Sequence, residues 1–386
     1  MANYSKDCQN VLERLATSKN VLISGPPGTG KTRLLSEIAQ AFSEMLVAPV
    51  TPMSPPLHAP GARVAIPAPL PVAAVPGLAH LLPALRKSSR QVFRTVFHQN
   101  TRHRDFATGL MPNVSRTPGD PDFIITVGTL IKASEYAKGA DAASLLIIDE
   151  INRGPAVQIF GGAIVAMEAD KRLAPDGRHQ RDTQYFDLLH PTKNLFEPYA
   201  LPDDLYIIAA LNQADASVEP LDVAFLRRWE PYILDPDITT LRTHLGIEGA
   251  KAVVEDLPAV PTETKEVFEA SVRAWEKVNK RVSLGRGAEF QIGHGILMAG
   301  ASPSMPLEQA LRVCVSGWAK VRAHIQEVFF GDTRGIAAVL NSVNPPVFHP
   351  LKLQEATFGD DFRYQLQGPT HLDEARIYDA MRAISL

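Results

Sequence analysis

The chain has 386 residues, 45% of them hydrophobic, and a formal net charge of -3. That is room for two or three domains with proper cores, and it excludes attraction to nucleic acid by bulk electrostatics. Its two cysteines, Cys8 and Cys314, lie far apart without metal-ligand spacing, which excludes a disulfide framework and a zinc cluster and points to a reducing, cytoplasmic compartment.

The opening MANYSKDCQN is polar, so no signal peptide is expected. An amphipathic pattern over 5–17 predicts a first helix. Asn20 to Ser24 then reads as an apolar strand, followed by a turn rich in Gly and Pro and a helical pattern from Lys31 to Met45. A Pro/Ala-rich stretch over 49–90 has the composition of an insertion in polyproline II or extended form. Within it, 64–85 is apolar enough to suggest a membrane span. Pro67, Pro69, Pro71, Pro76 and Pro83 forbid one, because each interior proline costs a helix about 3 kcal/mol.

Further apolar runs at Phe123 to Val127, Ser144 to Ile148 and Leu205 to Leu211 alternate with helical stretches. Such runs predict parallel strands buried on both faces, hence an α/β fold with a doubly wound parallel sheet. From about 240 the strands are expected to stop. Helices over Thr262 to Lys280 and Pro306 to Val328 predict a smaller helical domain. The expected division is therefore an α/β nucleotide-binding domain over 1–240, a helical lid over 241–330 and a tail over 331–386 of no assigned role, ending in a helix from Asp373 to Ile384.

Residues 25–32, GPPGTGKT, match the phosphate-binding pattern GxxxxGK[ST] between a predicted strand and a predicted helix, the context that motif requires. Gly25, Gly28 and Gly30 let the backbone turn so that its N–H groups, with that of Thr29 and the helix N-terminus, face phosphates. Pro26 and Pro27 complete the turn, Lys31 supplies a charge, Thr32 a hydroxyl for Mg²⁺, and Arg33 follows. In LLIIDE (145–150) a buried strand ends in two carboxylates: Asp149 suits the metal, and Glu150 suits a water facing the γ-phosphate. Asn212, at the end of the next strand, is placed to bridge that water and the phosphate, or simply to turn the chain. Arg227 and Arg228 in LDVAFLRRW are either a solvated pair on a short helix or charges projected into a neighbour's nucleotide site.

The order of P-loop, DEINR, strand-end asparagine, LRRW and helical lid resembles the AAA+ superfamily. Four longer strings are similar to the McrB family within it: FHQNTRHRDFATGLMP (97–112), IIDEINRGPAVQIFGGAIVAMEADKR (147–172), LPDDLYIIAALNQADASVEPLDVAFLRRW (201–229) and FQIGHGILM (290–298). The resemblance implies an ATP- or GTP-hydrolysing, Mg²⁺-dependent ring, hexameric, working on DNA with a separate McrC-like nuclease or activator subunit in restriction and phage defence. It also brings Asp215 and His294 to the nucleotide, although a histidine with a purely structural role remains the alternative for His294. The chain departs from the family at Ala216, where the signature has arginine and on which GTP preference bears. Gly162 stands for a glutamate and His103 for a tyrosine. Lys171 and Arg172 match the family's DKR, or are an ordinary charged helix end. The P-loop begins so early that no separate DNA-reading domain is expected before it. Two other functions fit the motifs: a MoxR-type ATPase that remodels protein complexes, and a nucleotide-gated scaffold with little turnover.

Overall fold

A computed structural model describes residues 4–44, 78–115, 117, 119–193, 195–212, 221–248 and 256–386. The chain divides into two compact units. One comprises Met1–Leu22, Thr32–Ala210 and Pro220–Pro231; the other comprises Ile23–Lys31, Leu211–Glu219 and Tyr232–Leu386.

In chain order the α/β part contains α1 (Lys6–Ser18), β1 (Asn20–Ser24), α2 (Lys31–Ser43), β2 (Ser89–Val96), α3 (His103–Phe106), β3 (Thr108–Pro112), β4 (Phe123–Val127), α4 (Thr129–Ala137) and β5 (Ala142–Asp149). It continues through α5 (Ala156–Phe160), α6 (Ala163–Ala166), β6 (Phe186–Leu189), β7 (Phe196–Tyr199), β8 (Leu205–Ala210), α7 (Val223–Leu226) and β9 (Glu230–Ile233). Five strands form the sheet in the order β2-β5-β8-β1-β9. Every neighbour is non-consecutive in sequence, so each connection crosses over a face, as the doubly wound reading expects. β2, β5 and β8 pair in parallel. The N–H of Ile207 donates to the Lys19 carbonyl at 2.9 Å and that of Leu211 to the Ile23 carbonyl at 3.0 Å; the same step along both strands marks β1 and β8 as parallel too.

Two strands differ from the sequence reading. Phe123–Val127 is not in this sheet: it pairs antiparallel with β3 in a hairpin. The place expected for it is taken by β2, whose Ser, Arg and Gln residues do not read as an apolar run. An edge strand explains this, because its outer side meets solvent and tolerates polar residues.

Of the expected insertion, 49–77 lies outside the described residues. The part from 78 is not extended coil: Leu78–His80 and Pro83–Arg86 are 3₁₀ turns with Ala79, Leu82, Ala84 and Leu85 buried. Arg90 on β2 joins the two flanks. Its guanidinium donates to the Phe42 carbonyl at 2.8 Å and to that of Glu44, and also to the Leu85 and Lys87 carbonyls at 2.7 and 2.6 Å.

The second unit contains α8 (Ile238–Leu245), α9 (Thr264–Gly285), α10 (Gly295–Met298), α11 (Leu307–Val328), α12 (Thr333–Val339), a hairpin of β10 (Lys352–Phe358) and β11 (Asp361–Gln367), and α13 (Glu374–Ser385). Strands therefore do return after 240. The tail is not a separate piece either. Leu340, Leu351, Ile377, Tyr378, Met381 and Ile384 belong to the same buried cluster as Trp275 and Val278 of α9 and Trp318 and Val321 of α11. Apolar residues three and four apart make α13 amphipathic, and it buries that face in the lid core. No helix among the described residues is long and apolar enough to cross a membrane.

Candidate nucleotide site

The second unit holds the phosphate-binding turn. Gly25, Gly28 and Gly30 have φ of 153°, 81° and 93°, conformations that cost a residue with a Cβ about 1 kcal/mol or more. A Cβ on Gly30 would meet nothing within 4 Å, so the turn is open on that side, as a phosphate cradle must be. The following helix α2 carries no acidic residue in its first turn, leaving the positive end of its dipole for an anion. Lys31 is buried and its ammonium donates to the carbonyls of Gly25 at 2.7 Å and Pro26 at 2.9 Å. Thr29 caps the same turn through its hydroxyl, 2.9 Å from the Pro26 carbonyl. Thr32 and Arg33 open α2 with exposed side chains. These features fit a nucleoside triphosphate.

The lid string FQIGHGILM lies against this turn. Gly293 N–H donates to the Pro27 carbonyl at 2.8 Å and Gly295 N–H to the Gly28 carbonyl at 2.9 Å. A Cβ on Gly293 would stand 2.0 Å from the Gly28 carbonyl carbon, so only glycine permits the approach. α9 fixes that segment: Trp275 Nε1 and Asn279 Nδ2 both donate to the Ile292 carbonyl at 2.9 Å, and Ile292 N–H donates to Asn279 Oδ1 at 2.7 Å. His294 Nδ1 accepts from the N–H of Asp237 at 3.1 Å, so its ring is anchored to the start of α8. Burial works against the Asp237 carboxylate, but bonds from Thr240 and Thr239 hold its pKa below the usual value. Asn212 follows Leu211, whose N–H is bonded to the root of the P-loop at Ile23. Asp215, with Ala216, lies outside the described residues.

In the first unit β5 delivers the acidic pair. Glu150 has φ 52° and ψ 45°, a left-handed conformation that is uncommon for a residue with a side chain and concentrates at functional turns. Its N–H donates to Asp149 Oδ1 at 3.0 Å, and its Oε2 accepts from Arg153 Nε at 3.1 Å. Both carboxylates are partly exposed.

The arginine pair directly follows α7, and the structure separates its members. Arg227 is exposed, whereas Arg228 is half-buried, with Nε 3.1 Å from Glu168 Oε1 and a second nitrogen on the Ala224 carbonyl. Phe225 and Trp229 on either side are buried and stack around Phe160 at ring-centroid distances of 5.2 and 6.1 Å. Phe106 lies 4.7 Å from Phe160, and Phe97 lies 5.4 Å from Phe106. The string 97–112 is thus in part the packing that seats the arginine segment.

Two departures from the McrB pattern have physical reasons here. A side chain at Gly162 would place its Cβ 2.8 Å from that of Phe186, and His103 Nδ1 bonds the Ile159 carbonyl at 3.0 Å. Arg172 is no ordinary helix end. It is wholly buried, and burial lowers its pKa to about 10, so it stays charged at neutral pH. Sequence reasoning missed Asn20, Arg153, Glu168, Trp275, Asn279, Gly293 and Gly295. For Arg153 the DEINR spacing was the available signal; the others depend on partners distant in sequence.

Residues 78–229 match the family described as AAA domain (dynein-related subfamily). The type IV methyl-directed restriction enzyme EcoKMcrB subunit of Escherichia coli (strain K12) is 25% identical over 327 residues, 84% of this chain and 57% of that protein. The type II restriction enzyme BsuMI component YdiS of Bacillus subtilis (strain 168) is 27% identical over 212 residues, 55% of each chain. The chain therefore spans little more than half the length of either relative. A solved structure of a putative ATPase from Cytophaga hutchinsonii overlaps at a TM-score of 0.31 and 13% identity, covering 86% of this chain and 78% of that one, too loosely to bear on function. The parallel sheet and the P-loop agree with this likeness: over 78–229 the chain is similar to the AAA domain family, and over a longer stretch to the McrB subunit and the BsuMI component.

Proposed function

We propose that the chain hydrolyses a nucleoside triphosphate, ATP or GTP, in a Mg²⁺-dependent reaction completed between subunits of a ring, hexameric as in the family resemblance. The ring would serve as the motor of a DNA restriction complex with a separate nuclease subunit. The observation that carries this reading is the left-handed Glu150 directly after Asp149 at the end of β5. A phosphohydrolase needs a carboxylate beyond its metal ligand to orient the attacking water. The relatives' restriction roles support the setting.

In this mechanism the open turn at Gly28–Gly30 receives the phosphates on its N–H groups, and Lys31 exchanges its carbonyl partners for phosphate oxygens. Thr32 and Asp149 would hold Mg²⁺, which supplies charge neutralisation at the transferring phosphoryl group. Glu150 takes up the proton of the attacking water, and Asn212 orients that water. Arg227, exposed beyond α7, reaches the nucleotide of the adjacent subunit, where an arginine in trans stabilises developing charge. The family resemblance adds His294 and Asp215 to the nucleotide's contacts.

Phosphate release from ATP and from GTP, with and without Mg²⁺, duplex DNA and a nuclease subunit, tests the proposal. Mg²⁺-dependent turnover stimulated by duplex DNA together with the nuclease subunit is expected. Stimulation by protein substrates alone moves the chain to a remodelling role, and retained nucleotide without turnover makes it a gated scaffold.

A further inference from the structure

Arg172 takes no part in the mechanism above, yet among the described residues it is the largest wholly buried side chain. Its guanidinium has three partners. Nε donates to the Met167 carbonyl at 2.9 Å, one terminal nitrogen donates to the Leu205 carbonyl at the start of β8, and the other donates to Asn20 Oδ1 at 2.7 Å. Asn20 opens β1 and is itself buried. Its Nδ2 donates to the same Met167 carbonyl at 2.7 Å and to the Arg228 carbonyl at 3.4 Å. The residue after Met167 is Glu168, whose carboxylate pairs with the Arg228 side chain at 3.1 Å. Arg228 is therefore held at both ends, by its carbonyl and by its guanidinium, and both holds run back to Arg172.

A buried charge of this kind is costly unless every donor is used, and a planar fork with fixed donor directions imposes geometry on whatever it bonds. A lysine offers one point charge and cannot serve three acceptors spread across a plane. The 3₁₀ turn at Ala169–Lys171 brings the fork back beneath Met167, and the hydroxyl of Thr183 closes on the Arg172 carbonyl at 3.0 Å. Arg227, next along the chain from the clamped Arg228, is exposed and has none of these holds in its own subunit.

We propose that Arg172 is a positioning residue for hydrolysis in the neighbouring subunit: through Asn20, Met167 and Glu168 it fixes the Arg228 main chain and side chain, and thereby sets where Arg227 projects. Arg228 then acts within its own subunit as the anchor of the pair. This inference rests on the reading that Arg227 acts in trans, and it assigns work to the family's DKR string.

The test is subunit mixing with the full-length protein. Arg172→Met keeps length and apolar bulk but has no donors, and its own P-loop and Glu150 are intact. Alone it should turn over about 10²-fold more slowly, the scale of a misplacement near 1 Å, with KM for nucleotide near that of the parent. Mixed with Glu150→Gln, which keeps both arginines, it should regain turnover as Arg227→Ala does in the same mixture. Arg172→Lys should show the same recovery from a smaller deficit, and it carries the test if the methionine variant does not fold. Recovery with Arg227→Ala but not with a folded Arg172 variant overturns the positioning role and leaves trans hydrolysis standing. No recovery with Arg227→Ala overturns both. A folded Arg172 variant with unchanged kcat also overturns it.

Discussion

The turn at 25–32 and the arginine segment at 222–229 are both short and both rich in chemistry, yet they are built in opposite ways. The P-loop needs little beyond itself. Its glycines supply their own φ angles, its lysine caps its own carbonyls, and the next helix supplies the dipole. The arginine segment has no such local code. Phe225 and Trp229 are seated by Phe160, itself packed on Phe106. Arg228 is held by Glu168, and its carbonyl by Asn20 near the other end of the unit. A turn for an anion can be written in eight residues, whereas the arginine segment takes its position from partners distant in sequence.

Mutations can break this contrast. Arg227→Ala should give the largest loss, about 10³-fold or more in kcat, with nucleotide binding retained. An equal loss in binding would mean the arginine serves its own site. Glu150→Gln should lower turnover by about 10² to 10⁴-fold, and should retain bound nucleotide through size-exclusion chromatography while strengthening the ring. Phe160→Ala removes the centre of the aromatic seat and should cost about 3–5 kcal/mol of stability, read by chemical denaturation. Gly293→Ala forces a Cβ into the P-loop backbone and should cost about 1–3 kcal/mol, with weaker nucleotide affinity; unchanged affinity would show that the lid string does not shape the turn.

The smallest effect concerns pH. His349 is buried in the second unit; burial lowers its pKa despite the bond to the Leu340 carbonyl at 2.8 Å, and its other nitrogen accepts from Leu351 N–H at 3.2 Å. Because the folded pKa is depressed, the neutral ring's contribution is present above the ordinary value of 6.5 and is lost as pH falls through the folded value. Thermal melting should therefore weaken below about pH 6.5, and His349→Gln should flatten that part of the profile.

What the sequence made legible follows the same division. Asn20–Ser24, the end of β5 at Asp149 and β8 were readable because central strands are apolar throughout. β2 was not, because at the edge of the sheet Arg90 is only half-covered and Arg94 is exposed. Phe123–Val127 had strand composition, but composition does not name a partner, and it pairs with β3 instead. The turn at 25–32 was readable from its spacing, and its glycines take the positive φ that such a turn needs. Arg172 was not, since DKR at a turn looks solvated until Asn20, 152 positions away, is seen beneath it. The tail was opaque for the same reason: Ile377 and Met381 show an amphipathic helix, but not that α9 and α11 receive it.

The most direct measurement of the central claim is turnover across mixing ratios of Arg227→Ala and Glu150→Gln subunits, each nearly inactive alone. If one subunit's arginine completes the neighbour's site, activity rises to a maximum at intermediate ratios, where intact Glu150 faces intact Arg227. Activity that stays at the baseline of the separate variants at every ratio would contradict catalysis shared between subunits.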